Sequence, residues 1–159
     1  MSPDSLQILH QSLFGAIAAV GFGVLFNCSS AMLLQCLGAG ALTLAVRTIG
    51  LDLGLSLPMA SFLAALAIGI VDRAWQKAQS PRGSILAVVG CIPMIPGSLA
   101  AKALMGGFAL LQSGPQDVAA AIITQENMLR VVLTMAGIGT GLAIPTLVYP
   151  IPLDRRRAP

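Results

Sequence analysis

Val89-Gly90-Cys91-Ile92-Pro93-Met94-Ile95-Pro96-Gly97-Ser98 is an apolar run that carries two prolines three residues apart, with Gly90 and Gly97 beside them. Each proline removes a backbone N–H and crowds the carbonyl four residues back, so a helix entering this run is expected to break within it. The run lies inside 19 residues, between Arg82 and Lys102, that hold no fixed charge. A charge-free stretch of that length suits the hydrocarbon core of a bilayer, which takes roughly 20 helical residues. Unwound backbone at that depth is tolerated only where it lines a cavity or is covered by protein. The expected element is therefore a broken membrane helix.

The same reading extends to both sides. An ionised side chain at the bilayer centre costs roughly 2.5–3.5 kcal/mol, so gaps between charges mark spans. There are 42 uncharged residues between Asp4 and Arg47, 19 between Asp52 and Asp72, and 23 between Arg130 and Asp154. The long gap holds two spans divided by Asn27-Cys28-Ser29-Ser30, whose short polar side chains suit a turn or an N-cap. The fold class is all-α: a polytopic membrane helix bundle in one integral membrane domain, 1–159. It has about five transmembrane helices, near 6–26, 31–49, 53–71, 84–105 and 128–148, the fourth broken by proline and glycine. A four-span count remains open, because Gln7, His10 and Gln11 make the start of span one polar.

Composition agrees. Charged residues make up 9% of the 159-residue chain and hydrophobic residues 56%, with a mean hydropathy of +0.86. Soluble domains are roughly 25% charged, so a water-soluble enzyme is excluded, and disorder requires the opposite balance. The net charge of +3 is not gathered on one face as nucleic acid would need. Three cysteines, Cys28, Cys36 and Cys91, form no CxxC pair, and one histidine cannot build a metal cage; no metal and no cofactor are expected.

Lys and Arg stay on the cytoplasmic side of short loops. Arg73, Lys77 and Arg82 follow span three, and Arg155, Arg156 and Arg157 follow span five. A bacterial inner-membrane protein with loop 72–83 and the C-terminus cytoplasmic and the N-terminus external satisfies both clusters. The leader Met1-Ser2-Pro3-Asp4-Ser5 lacks the positive charge of a signal sequence, so span one is expected to stay. Gly15, Ala19 and Gly23, Gly38 and Gly40, and Gly137 and Gly141 have the small-residue spacing that lets helices approach closely in lipid. Trp75 and Tyr149 fall at span ends, where amphipathic rings prefer the interface. Pro115 is expected to open a short external interfacial helix carrying Asp117 and Glu126.

The candidate chemistry sits at the break. A half-helix N-terminus offers free N–H groups and a positive dipole end to an anion. Pro93 and Pro96 would create that end, and Gly97 and Ser98 would supply N–H groups and a hydroxyl. Lys102 follows Ser98 by four residues, hence on the same face, and Arg47 closes span two. Each feature has a plainer alternative: a kink that only shapes packing, a Lys102 or Arg47 that snorkels to the headgroups, or an Arg47 paired with Asp52. Asn27 either orients a ligand or caps the next helix. Asp72, Arg73 and Lys77 read as a solvated cytoplasmic loop.

Gly21-Phe22-Gly23, Leu25-Phe26-Asn27, Arg47, Ala60-Ser61-Phe62, Pro81 and above all Ile92-Pro93-Met94-Ile95-Pro96-Gly97-Ser98 resemble the threonine/serine exporter (ThrE) family. The resemblance covers about residues 13–150 and is to the family's C-terminal membrane half, in the form of a YjjB-like small subunit. It departs at Ser29, where the family often has proline, and at Ala100-Ala101-Lys102, where a tyrosine often follows the Pro-Gly. The resemblance implies a non-enzymatic transport subunit exporting small carboxylates: succinate and related dicarboxylates, or the amino acids threonine and serine. It also implies a larger YjjP-like membrane partner. Five short helices are few for an alternating-access machine built from two halves, which independently favours a partner or a homo-oligomer. Substrate is expected near the midplane, held by Pro93, Pro96, Gly97, Ser98, Arg47, Lys102 and Asn27. The alternatives are a membrane-embedded enzyme acting on lipid-linked substrates and a structural membrane subunit without transport activity.

Overall fold

The computed structural model describes residues 3–79, 85–113 and 118–149. Among them there are only helices: α1 Pro3–Leu25, α2 Ser30–Asp52, α3 Leu57–Gln79, α4 Leu86–Cys91 continued by a 3-10 turn Ile92–Met94, α5 Gly97–Ser113 and α6 Val118–Val148. Four of these are long and apolar enough to cross a membrane. Leu86–Met94 with Gly97–Gln112, bent by 51°, makes a fifth if the pair is one span.

The turn after α1 shows why the first charge gap splits. Asn27 takes a left-handed conformation, φ 57°, with the N–H of Asn27 on the Val24 carbonyl and that of Cys28 on the Gly23 carbonyl, both at 2.9 Å. This is the Schellman pattern that ends helices. Asn27 thus closes α1 rather than capping α2, whose N-cap is Ser29. Gly54, φ 83°, ends α2 in the same way, with Gly54 N–H on the Leu51 carbonyl and Leu55 N–H on that of Gly50.

Small residues set the helix contacts. A Cβ on Gly15 would lie 2.7 Å from the Gly40 carbonyl oxygen, and one on Gly23 would lie 3.1 Å from Cys36 Sγ. α1 and α2 therefore run antiparallel, almost backbone to backbone. Gly38, expected to share this role, has nothing within 4 Å; Gly40 alone makes the approach. On α6, Gly137 faces the Pro58 carbonyl, Gly141 that of Phe62, and Gly69 of α3 faces Pro145. Both series rise together, so α3 and α6 are parallel. α5 packs on α6, Gly106 meeting Thr124. The core lies where α4 enters the groove of α1, α2 and α3, with Ala39, Ile68, Val89, Cys91 and Met94 buried.

Two expectations are corrected. The piece around Glu126 is not a separate interfacial helix, because α6 runs unbroken from Val118. No glycine or proline interrupts it before Gly137, and Glu126 pairs with Arg130 at 2.6 Å one turn on, a spacing that supports a helix; Pro115 and Asp117 lie outside the described residues. Asp72 is also not in a solvated loop. α3 continues to Gln79, and the i, i+4 spacing turns Asp72 and Gln76 inward, 5% and 9% exposed, with Gln76 Nε2 donating to Asp72 Oδ2 at 2.7 Å.

Candidate substrate site at the helix break

The two prolines act differently. The residue before a proline is pushed out of the helical region, and Ile95 obeys, at φ −59°, ψ 124°. Ile92, before Pro93, stays helical at φ −55°, ψ −43°, so the chain only tightens into a 3-10 turn there. The break falls at Ile95-Pro96. Pro96 is buried, and its carbonyl accepts from Ala100 N–H at 3.0 Å as the first bond of α5. The expected half-helix start is thus observed: α5 opens at Gly97.

A helix that stops leaves carbonyls without partners, and two of those near the end of α4 are met by α2. Thr43 Oγ1 donates to the Gly90 carbonyl at 2.7 Å, and Arg47 Nη1 donates to the Met94 carbonyl at 3.1 Å. Both bonds span 47 positions in sequence, so α2 and α4 run parallel in register. Gly90 permits this, since a Cβ there would stand 3.1 Å from Ala39 Cβ. Arg47 faces the break rather than Asp52, placing a cation at the carbonyl end of α4, where the helix dipole favours it. Its Nε is shielded from solvent and has no hydrogen-bond partner among the described residues.

Beside this contact lies a cleft of about 170 Å³ between α1, α2 and the 3-10 turn, lined by Gln7, Gln11, Leu44, Arg47, Thr48, Leu51 and Pro93. Arg47 and Pro93 of the expected site meet here. Pro96 is buried two residues past the turn, while Gly97 and Ser98 are exposed at the start of α5. Lys102 is exposed on α5 and does not line the cleft. Asn27 is not brought near: it sits at the other end of α2, which places it on the order of 25 Å from Arg47 at 1.5 Å per residue. The break divides the 86–113 segment in its interior, but along α2 Arg47 lies one turn and a half from the end at Asp52. Thr43, Gln7, Gln11 and Thr48 were not among the expected site residues. Their signal was spacing, since Thr43 and Arg47, like Gln7 and Gln11, are four apart and share a helix face.

A family model described as "Threonine/Serine exporter, ThrE" matches residues 11–148. The chain belongs to the ThrE family. Among its relatives is an uncharacterized protein of Haemophilus influenzae, 30% identical over 146 residues, which cover 91% of this chain and 48% of that protein. The chain thus spans about half the length of the curated relative it matches. No solved structure matches it. ThrE membership makes this a membrane protein of transporter type, and the match includes the whole break, from Leu86 to Ser98, as well as Arg47.

Proposed function

We propose that this chain is one membrane subunit of an exporter for small carboxylates, threonine and serine or succinate-like dicarboxylates, and that Arg47 holds the substrate carboxylate in the cleft beside the break. The observation that carries the proposal is the double engagement of Arg47, which lines the polar cleft and also bonds the Met94 carbonyl at the end of α4. A guanidinium has five N–H donors, and one suffices for Met94. Nε is shielded from solvent, and a carboxylate is a natural partner for the remaining terminal N–H groups. Because the same side chain tethers the broken helix, occupation of the cleft biases the position of α4 relative to α5, as an alternating-access device requires. The exposed N-terminus of α5 is a second anion-favouring surface on the same break through Ser98; Gly97, expected to offer a free N–H, instead donates it to the Ile95 carbonyl at 2.8 Å.

The chain matches about half of a longer relative, which supports the reading that a larger YjjP-like subunit supplies the other helices in the bacterial inner membrane. The test is export of labelled threonine, serine and succinate from cells expressing the chain with and without the neighbour-encoded membrane protein. Efflux should require both chains and should fall at least about ten-fold in Arg47→Gln, the loss expected when a charge-assisted anchor is removed. Efflux unchanged in a folded Arg47→Gln variant would refute the site. Activity on lipid-linked phosphate by the single purified chain would instead favour an enzyme.

A further inference from the structure

We infer that Gln7 and Gln11 are specificity-determining residues of the Arg47 cleft, forming an uncharged amide wall that restricts it to ligands with a single carboxylate. The inference rests on the proposed role of Arg47 and goes beyond it, because it concerns the part of the ligand that Arg47 does not hold. Arg47 is the charged residue among those lining the cleft. Opposite it, α1 presents Gln7 and Gln11, one helical turn apart on one face, within a segment, Leu6–Leu25, apolar enough to span a membrane. Both amides line the cleft and stay exposed at its mouth, near the start of the apolar segment.

The wall discriminates by charge. A carboxamide both donates and accepts hydrogen bonds, so it serves an ammonium or a hydroxyl at the far end of a monocarboxylate. A second carboxylate would lie among Leu44, Thr48, Leu51, Pro93 and two neutral amides, with no second cation among the described lining residues, and an anion that gives up part of its hydration without gaining a counter-charge is disfavoured. Lys102, the nearest candidate by sequence, is on α5 and outside the cleft.

The test is equilibrium binding of labelled L-threonine and labelled succinate to membranes carrying the chain with its larger subunit, for wild type, Gln7→Lys, Gln11→Lys, Gln11→Leu and Arg47→Gln. Detergent-extracted monodispersity and helical circular dichroism check the fold of each variant. Wild type should prefer threonine, and either lysine variant should shift the ratio toward succinate by about ten-fold or more, as a new close charge pair does. Gln11→Leu should weaken threonine binding while leaving succinate binding as low as before. A threonine-to-succinate ratio unmoved in folded lysine variants, with binding lost in Arg47→Gln, would overturn the inference and leave the Arg47 site standing. Wild-type binding in Arg47→Gln would overturn both.

Discussion

Thr43 Oγ1 stands 2.7 Å from the carbonyl oxygen of Gly90 and donates a hydrogen bond to it, and one turn further along both helices Arg47 makes the matching contact with Met94. These two rungs hold the broken segment against α2 at the point where its own helix can no longer satisfy its carbonyls. The second rung is made by the residue proposed to hold the substrate, so the packing of the break and the proposed chemistry share a residue.

Replacing Thr43 with Val keeps the volume of a fully buried side chain and removes the donor. The Gly90 carbonyl then loses its partner on α2. The expected cost is about 1 kcal/mol, within the range measured for interhelical bonds in membrane proteins. Thr43→Ser, which keeps the hydroxyl, should lie closer to wild type. Thermal unfolding in detergent reads the difference, and equal midpoints for all three proteins would contradict the assigned bond.

Gly40 and Gly38 differ by two positions and should behave oppositely. Leucine at Gly40 drives into the Gly15 backbone and Ala19 and should destabilise the α1–α2 hairpin by about 1–3 kcal/mol or more, the usual cost of overpacking. A Cβ at Gly38 meets nothing within 4 Å and the position is exposed, so leucine there should be tolerated. Folded yield and unfolding midpoint of the two variants decide the matter.

Pro96→Ala restores an N–H and frees Ile95 from its extended conformation. The 51° bend between Leu86–Met94 and Gly97–Gln112 should then relax toward a straighter helix. Spin labels at the exposed positions Val88 and Leu104 should report a longer and broader distance distribution. An unchanged distribution would mean that tertiary contacts, rather than the proline, impose the bend.

Membrane orientation is accessible to cysteine chemistry. Ser56 is exposed in the turn joining α2 to α3, and Cys28 lies at the opposite end of α2, while Cys36 and Cys91 are buried. With the N-terminus external, Ser56→Cys in a Cys28→Ser background should react with an impermeant maleimide added to intact cells. The native Cys28 should react only after permeabilisation. The reverse pattern would invert the proposed topology.

Much of this architecture was legible because the bilayer imposes few solutions. Charge gaps located the helices, Asn27 marked the first turn, and Pro93 and Pro96 marked the break, since proline chemistry acts locally and needs no partner to be known. The turn at Gly54 was not legible, because the charge gap alone started span three at 53, ahead of the helix that begins at Leu57. The small residues Gly15, Gly40, Gly137 and Gly141 were correctly read as packing sites. The start of helix α6 at Val118 was missed, because a charged pair such as Glu126–Arg130 looks like a loop when only hydropathy is counted, although it is also a good helical pair. Asp72 was misplaced for a related reason: charge alone suggests solvent, whereas its helix turns it toward Gln76 and the interior.

Local composition and backbone sterics thus settle that this ThrE-family chain makes apolar helices and that one of them snaps at Ile95-Pro96. Which neighbour receives the broken end is another matter. Arg47 could as well have paired with Asp52 by proximity along the chain, and Lys102 had as good a sequence claim to the site. The parallel seating of α4 on α2, made possible by Gly90 against Ala39, brings Arg47 and Thr43 to the carbonyls of Met94 and Gly90, the close packing of α1 on α2 brings Gln7 and Gln11 to the same cleft as Arg47, and Lys102 and Asn27 stay outside. That outcome depends on close contacts between residues 47 positions apart, and no periodicity within a single helix encodes them.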